Sequence, residues 1–159
     1  LESLQILKEG SDISIFTYGY MVPEVLKASQ YLKEFGINSE IIILEKLNIT
    51  DWSIFYESIK KTKNLLIVEP YYKESSIWSL FLSELISKLV NESNFLESYN
   101  LISLPFENES TSYFQTKKRY FDYLEITKLI CKQLKKNEPL LSYSDEHHDI
   151  PGNWFKGPF

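Results

Sequence analysis

Apolar positions follow two different periods along the chain, and the change of period marks its first structural unit. Ile13–Tyr18 is a short β-rich run that predicts a strand, and it stops at Gly19. From Pro23 onward the apolar positions recur at helical spacing, and Pro suits a first helical turn because its missing N–H would have no partner there. Gly36 can take the positive φ that ends a helix, and a second predicted strand, Glu40–Leu44, follows.

One face of this predicted helix carries the side chains that we expect to be buried. They are Val22, Val25, Leu26, Ser29, Leu32 and Phe35. A strand, a helix and a second strand within about thirty residues form a βαβ unit, in which the two strands are parallel and the crossover is right-handed.

The same alternation continues in the next part of the chain. Thr50 or Asp51 is a suitable N-cap for a helix that runs through Lys61. We expect its inward-facing residues to be Ile54, Phe55, Ser58 and Ile59. The unbroken apolar run Leu65–Val68 is typical of a strand that is buried on both faces of a parallel sheet, and Pro70 is expected to end it.

A strongly apolar helix and a further strand come next. Ser75 or Ser76 precedes a predicted helix over Ile77–Val90, which is apolar around much of its circumference. We expect such a helix to be covered on more than one side, by the sheet and by another chain or segment. Leu101–Leu104 predicts the next strand, which Pro105 closes.

The last predicted helix begins at a capping box formed by Asp122 and Glu125, and it runs to about Lys136. Its inner face carries Ile126, Leu129, Ile130 and Leu134. The alternation of strands and helices predicts an α/β fold, a three-layer α/β/α sandwich. Its central parallel strands are expected to be Ile13–Tyr18, Glu40–Leu44, Leu65–Val68 and Leu101–Leu104.

Residues 137–159 have a different character from residues 1–136, which we expect to form one domain. Pro139, Pro151 and Pro158 make regular structure improbable in this tail. It nevertheless contains Trp154 and Phe155, which disordered tails seldom carry. We expect these aromatic side chains to pack either on the domain itself or on a neighbouring subunit.

Composition excludes several classes of protein. The chain has 159 residues, of which 43% are hydrophobic and 15% aromatic, as expected for a globular domain. Its net charge of −5 argues against a general nucleic-acid-binding protein, and no apolar run reaches the roughly 20 residues that cross a bilayer. The single cysteine, Cys131, favours a reduced, cytoplasmic setting. Because the sequence does not begin with Met, we expect a fragment or an expressed domain, and processing is the alternative explanation.

Motifs for catalysis and metal binding are lacking. The five glycines form neither a GxGxxG nor a P-loop pattern, and no serine lies in a GxSxG elbow, so we predict no catalytic residue and no metal site. His147 and His148 are expected to be solvated rather than to bind a metal.

The carboxyl ends of the predicted parallel strands are where α/β sheets often bind ligands, and this makes Gly19, Tyr20 and Glu69 the candidate ligand-binding residues. The alternatives are that Gly19 only makes the turn and that Glu69 is a solvated residue at a strand end.

Two segments resemble a known family. Residues 9–22 read EGSDISIFTYGYMV, similar to the EGxDhTIhxYGxMV opening (h, apolar) of transketolase-like C-terminal domains. Residues 58–69 read SIKKTKNLLIVE, similar to SVKKTGRLVVVEE of that family. The resemblance covers about residues 4–136 and is nearest to the beta subunits of 2-oxo acid dehydrogenase decarboxylase components, with transketolase and deoxyxylulose-phosphate synthase as relatives. Ile49-Thr50 and Pro70 depart from the family's Pro-Leu and second Glu.

The resemblance implies a mostly parallel five-stranded sheet, with Leu4–Leu7 added as an antiparallel edge strand. In that family thiamine diphosphate is held by two other domains, one of which carries a GDG…NN motif for metal and diphosphate that is absent here. The chain would then be the C-terminal domain, without the cofactor, of a thiamine-diphosphate- and Mg²⁺-dependent oxidoreductase or transferase. Alone it is expected to be inactive and to bind neither group.

Different roles remain open for such a domain. It is expected to serve subunit assembly, as a homodimer or hetero-oligomer with the other domains or subunits of the enzyme, and docking or ligand regulation is a further role. The alternative is a stand-alone module that binds a small anion at the strand ends near Gly19 and Glu69. An independent enzyme is disfavoured because no nucleophile, base or metal cluster can be assembled.

Overall fold

The computed structural model describes residues 3–47, 49, 51–72, 76–78, 96–104 and 122–137. The strands with defined bounds are β1 (Leu4–Lys8), β2 (Ile13–Thr17), β3 (Ser39–Leu44), β4 (Asn64–Tyr72) and β5 (Ser98–Leu104). The helices are α1 (Met21–Glu34), α2 (Ser53–Thr62) and α3 (Tyr123–Gln133). A further helix begins at Ile77 and Trp78, but the rest of the predicted Ile77–Val90 helix lies outside the described residues, as does the tail beyond Asn137.

The strands form one five-stranded sheet in the order β1-β3-β2-β4-β5. β1 pairs with β3 in the antiparallel sense, whereas the pairs β2–β3, β2–β4 and β4–β5 are parallel. The predicted fold class is confirmed, including the antiparallel edge strand that the family resemblance added. Each predicted central strand is present, with bounds that differ by a few residues.

Helices cover both faces of the sheet. α1 and α3 pack on the face that carries Ile13, Ile15, Ile41, Leu66 and Val68. On the opposite face, Phe16, Ile42, Leu65 and Ile67 pack against α2 and Trp78. Because β2, β3 and β4 are covered on both sides, apolar residues on both faces are buried, and the run Leu65–Val68 is apolar at every position, as expected for interior parallel strands.

β4 is longer than predicted, since the strand passes through Pro70 and continues to Tyr72. The expectation that Pro70 ends it was wrong. The pairing of β4 with β2 stops at Val68, and its register with β5 shifts between Val68 and Tyr72. The proline therefore lies in an irregular stretch, where its missing N–H breaks no regular ladder bond.

The end of α1 corrects a second expectation. Phe35 was predicted to be buried, but it is 44% exposed, and Ile37 is buried instead. Gly36 has φ 72°, the Gly36 N–H donates to the Lys33 carbonyl, and the Ile37 N–H donates to the Leu32 carbonyl. This is a Schellman motif, in which the residue after the glycine folds back onto the last helical turn. The chain reversal gives Ile37 the inward position that uninterrupted helical spacing assigned to Phe35.

The starts of α2 and α3 are capped in different ways. The N-cap of α2 is Trp52, with no side-chain cap bond, although the Asp51 carboxylate accepts a 2.9 Å hydrogen bond from the Ser53 N–H. The predicted capping box of α3 is confirmed. Asp122 Oδ1 accepts from two backbone N–H groups of the first turn at 2.9 and 3.0 Å, and Glu125 bonds back to the backbone of Asp122.

Candidate ligand-binding edge of the sheet

The candidate residues lie where the chain changes direction across the sheet. From β2, the chain passes through α1 to β3 on one side, and then through α2 to β4 on the other side of β2. The carboxyl ends of β2 and β4 are therefore the topological switch point of the sheet, the place where open α/β sheets tend to bind ligands. The last register pair joins Thr17 of β2 to Val68 of β4, so the residues that follow, Tyr18 and Glu69, are neighbours.

Gly19 makes the turn from β2 into α1. Its φ is 62°, a left-handed value that favours glycine, and its carbonyl accepts a 3.2 Å hydrogen bond from the Val22 N–H. Tyr20 is the N-cap of α1 and makes no side-chain cap bond there, and its side chain is 51% exposed. The turn thus has a conformational reason for its glycine and presents one large aromatic ring at the edge.

Glu69 is fully buried, so the interpretation of this residue as a solvated strand end was wrong. The Tyr18 hydroxyl donates to Glu69 Oε2 at a long 3.4 Å. The Ser76 hydroxyl and the backbone N–H groups of Ile77 and Trp78 also bond to this carboxylate. Burial raises the pKa of Glu69 above its usual range, while these hydrogen bonds act in the opposite direction. Glu69 therefore connects the end of β4 to the start of the helix that follows.

At the same edge of the sheet, two carboxylates accept hydrogen bonds from the first backbone N–H groups of α3. Glu24 Oε2, in the first turn of α1, accepts a 2.8 Å hydrogen bond from the Tyr123 N–H. The next two N–H groups of α3 are bonded to Asp122. The positive end of the α3 dipole is thus neutralised by two carboxylates of the protein itself. An external anion would meet negative charge at this helix terminus.

A tyrosine pair lies beside these carboxylates. The rings of Tyr31 and Tyr123 stack with centroids 5.0 Å apart, and Lys27 Nζ lies 5.7 Å from the centre of the Tyr123 ring. Burial, followed by the hydrogen bond with Tyr31 and nearby negative charge, raises the pKa of Tyr123 to about 12. At neutral pH this phenol is protonated and acts as a hydrogen-bonding core residue.

Two polar residues of the edge were not singled out by sequence reasoning. Tyr18 supplies the hydroxyl that reaches Glu69, although the sequence placed it only at the end of a strand. Thr17 Oγ1 is fully buried and has no hydrogen-bond partner among the described residues. The available signal was a polar side chain at the end of a strand whose neighbouring residues, Ile15 and Phe16, are apolar.

The opposite, amino-terminal edge of the sheet contains a small cleft of about 220 Å³. Its lining includes Asp12, Thr62 and Asn64. The Asn64 amide donates to the Asp12 carbonyl at 3.0 Å and to the Thr62 carbonyl at 2.9 Å, and Asp12 Oδ2 accepts from the Asn38 N–H. Because ligand pockets are commonly about 300–1,000 Å³ and need free polar groups, this cleft is better explained as a network that joins elements of the fold.

Metal and membrane signals are also negative within the ranges that the structure describes. No group of three or more His, Cys, Asp or Glu side chains among them could hold a metal ion. None of the described helices is long and apolar enough to cross a membrane. Cys131 is buried in the layer formed by α1 and α3.

Comparison with known proteins agrees with the resemblance seen in the sequence. The chain is 31% identical over 90 residues to the pyruvate dehydrogenase E1 component subunit beta of Bacillus subtilis strain 168, covering 57% of this chain and 28% of that protein. It is 32% identical over 85 residues to the protein of the same name from Staphylococcus aureus strain Mu50, covering 54% and 26%. The chain thus spans about a quarter of the length of these curated relatives.

A solved structure shares the fold. An inactive beta4 tetramer of a split-gene transketolase superposes with a TM-score of 0.66 at 20% identity, covering 83% of this chain and 42% of that one. The family profile of the transketolase C-terminal domain matches residues 2–97, which is more than half of the chain. The chain therefore belongs to the transketolase C-terminal domain family.

Proposed function

We propose that this chain is the C-terminal domain of a thiamine-diphosphate-dependent enzyme and that it does not itself hold the cofactor. The proposal rests on the family match. It also rests on length, because the chain spans only about a quarter of the length of its curated relatives. The remaining length of such a protein would contain the domains that bind thiamine diphosphate and Mg²⁺. The sequence supports this division because it lacks the GDG…NN motif and a glycine-rich diphosphate loop.

The proposed role of the domain is to join subunits or domains. Exposed apolar side chains at the free edge of the sheet support this role, since Ile6 and Leu7 of β1 are 39% and 41% exposed. Leu47, which follows the neighbouring strand β3, is also exposed. The partner would be a second copy, giving a homodimer, or the other parts of the enzyme, giving a hetero-oligomer. A cytoplasmic location is part of the proposal and rests on the single, buried thiol of Cys131.

A calorimetric titration tests the cofactor assignment. The chain alone is titrated with thiamine diphosphate in the presence of Mg²⁺, and we expect no saturable heat. Tight, Mg²⁺-dependent binding would contradict the proposal. The gene region provides an independent test, because the same reading frame or an adjacent one should encode pyrimidine- and diphosphate-binding domains.

Sedimentation velocity over a concentration series tests self-association. The informative variant is Ile6→Ser, and Gln5→Ser is the matched control at the neighbouring exposed position of the same strand. We expect the sedimentation coefficient to rise with concentration in the wild type and in Gln5→Ser, and to rise less in Ile6→Ser. A constant monomer value in all three proteins would contradict self-association through β1.

The second candidate, a stand-alone module for a small anion at Gly19 and Glu69, has topology in its favour and charge against it. Both residues lie at the switch point, as a ligand site requires. However, Glu69 is a buried carboxylate, and Glu24 is bonded at the neighbouring helix terminus. Titration with inorganic phosphate distinguishes the two candidates, since saturable binding that Glu69→Gln alters would favour the anion module.

A further inference from the structure

β1 is an edge strand that has a paired strand on one side only. It is the terminal strand of the sheet, and among the described residues no strand lies beyond it. In an antiparallel pair, alternate residues direct both of their backbone groups at the partner strand. The Glu45 N–H donates to the carbonyl of the opposite residue, Ser3, at 2.9 Å. Ser3 and Gln5 are therefore the residues that bond to β3, while the N–H and carbonyl groups of Leu4 and Ile6 point away from the sheet.

Only one end of this strand has the features that usually prevent further pairing. Native edge strands are protected by charges, prolines and β-bulges. β1 has such features only at its end, where the register shifts at Leu7 and Lys8 reaches inward to Ser29 of α1. The stretch from Ser3 to Ile6 is uncharged and contains neither a proline nor a shift in register. The outward backbone groups of that stretch are therefore available to a further strand.

A second copy of the same stretch matches it by symmetry. Two identical strands that run antiparallel are related by a two-fold axis, so the contact is closed and uses the same surface on both chains. The register that bonds Leu4 of one copy to Ile6 of the other uses all of the outward groups, with two hydrogen bonds in each of the two pairs. Gln5 then lies on the axis, opposite Gln5 of the second copy. Because Leu4 and Ile6 share one face of the strand, apolar side chains oppose each other on that face.

We propose that two copies of this domain associate edge to edge through β1, in an antiparallel pair centred on Gln5 that joins their two sheets into one. The inference rests on the subunit-joining role proposed above, and it adds the partner, a second copy, and the geometry of the contact. Pairing covers the side chain of Ile6, which is 39% exposed in the single domain, and gives protein partners to the outward backbone groups. A second copy is favoured over an unrelated strand because symmetry alone brings matching backbone groups and apolar side chains opposite each other.

Cysteine cross-linking of the intact chain tests the position of the two-fold axis. Gln5 would face its own copy in a non-hydrogen-bonded pair, in which the Cα atoms are about 4.5 Å apart, within the range that a disulfide bridges. We expect Gln5→Cys to form a disulfide-linked dimer under mild oxidation, with a yield that rises with protein concentration. Leu7→Cys is the matched control, because an offset of four residues along the pair separates its two copies by about 14 Å. The wild type, whose Cys131 is buried, shows how much cross-linking is independent of β1.

Amide hydrogen exchange tests the backbone bonds in the wild type. The Gln5 N–H points at β3 and should be protected at every concentration, whereas the N–H groups of Leu4 and Ile6 should be protected only in the pair. Once about 90% of the chains are paired, exchange that occurs through the unpaired state slows about tenfold. We expect this slowing at Leu4 and Ile6 over the concentrations at which the sedimentation coefficient rises.

The outcomes separate this inference from the role on which it rests. Self-association in which Gln5→Cys forms no disulfide, or in which Gln5→Cys and Leu7→Cys give equal yields, would overturn the edge-to-edge pairing. The subunit-joining role would then use another surface. A chain that stays monomeric, with rapid exchange at Leu4 and Ile6 at every concentration, would also overturn the pairing, and the joining role would then be confined to the other parts of the enzyme.

Discussion

Gly10 is a position at which one added methyl group should strongly lower the free energy of unfolding. It lies between β1 and β2, against the backbone of β3. A Cβ built on Gly10 would lie 2.5 Å from the Ser39 carbonyl oxygen, and nearer still to the Ser39 carbonyl carbon and the Glu40 nitrogen. Since non-bonded carbon atoms prefer about 3.5–4.0 Å and the Ser39 carbonyl carbon would be 2.2 Å away, the overlap is more than about 1 Å.

The atoms in the way cannot move aside easily. They belong to the backbone at the start of β3, where Ser39 and Glu40 pair with β2, and the residues that follow pair with both β1 and β2. The Gly10 N–H also donates to the carboxylate of Glu40 at 3.3 Å, and a displaced loop would lose that bond. Overpacking costs about 1–3 kcal/mol where side chains can adjust. Because backbone must adjust here, we expect Gly10→Ala to lower the free energy of unfolding by about 3 kcal/mol or more.

Urea unfolding followed by far-ultraviolet circular dichroism measures this change, and Gly36→Ala is the matched control. A Cβ at Gly36 would meet no atom within 4 Å, but its φ of 72° is unfavourable for alanine. The left-handed conformation alone costs about 1–2 kcal/mol. We therefore expect the steric variant to be the less stable of the two. The reasoning is refuted if Gly10→Ala unfolds within about 0.5 kcal/mol of the wild type, the range of an ordinary surface substitution.

Three other substitutions test the N-cap of α3, the buried carboxylate of Glu69, and the core between the sheet and α2. Asp122→Ala removes the acceptor of two N–H groups in α3 and should cost about 1 kcal/mol in urea unfolding, whereas an unchanged midpoint would contradict its capping role. Because the pKa of Glu69 is raised above 4.5 in the folded state, its contribution to stability is fully present below that pH and is lost as pH rises through the raised pKa. The wild type should thus lose stability relative to Glu69→Gln over that window, and parallel pH profiles would disprove the shift. The ring centre of Phe55 lies 4.3 Å from that of Phe16, so Phe55→Ala should cost about 3–5 kcal/mol, whereas Glu57→Ala at an exposed position of the same helix should cost less than about 0.5 kcal/mol. Similar losses for Phe55→Ala and Glu57→Ala in urea unfolding would contradict the assigned core.

The central part of the fold could be predicted because it follows from local chemistry. Interior parallel strands are buried on both faces, so Leu65–Val68 had to be apolar throughout. The capping box at Asp122 is a property of residues three apart and is visible in the sequence itself. The antiparallel direction of β1 came from the family resemblance, because five residues at a sheet edge contain no signal of direction.

What the sequence could not predict depends on contacts between distant residues. Glu69 looked like a solvated carboxylate because its hydrogen-bond partner Tyr18 is 51 positions away. The inward direction of Lys8 arises from a bulge, which shifts the side-chain alternation by one residue without a sequence signature. At the end of α1, the choice between Phe35 and Ile37 was decided by the αL residue Gly36, which reverses the chain after the last helical turn.

The two edges of the sheet differ in their side chains: polar side chains bonded to one another lie at the amino-terminal edge, and an exposed aromatic ring lies at the carboxyl edge. At the amino-terminal end, the Gln133 amide donates to the Leu65 carbonyl at 3.0 Å and to Ser98 Oγ at 2.8 Å, and the Ser98 hydroxyl donates to Asn64 at 2.6 Å. This chain of bonds joins α3, β4 and β5, so a substitution within it leaves a buried partner unsatisfied and costs stability. At the carboxyl end, Tyr20 presents an exposed ring that caps α1 through no side-chain bond. An exposed aromatic ring beside the carboxyl ends of the strands offers surface that the proposed contact with a ligand or a neighbouring domain would use.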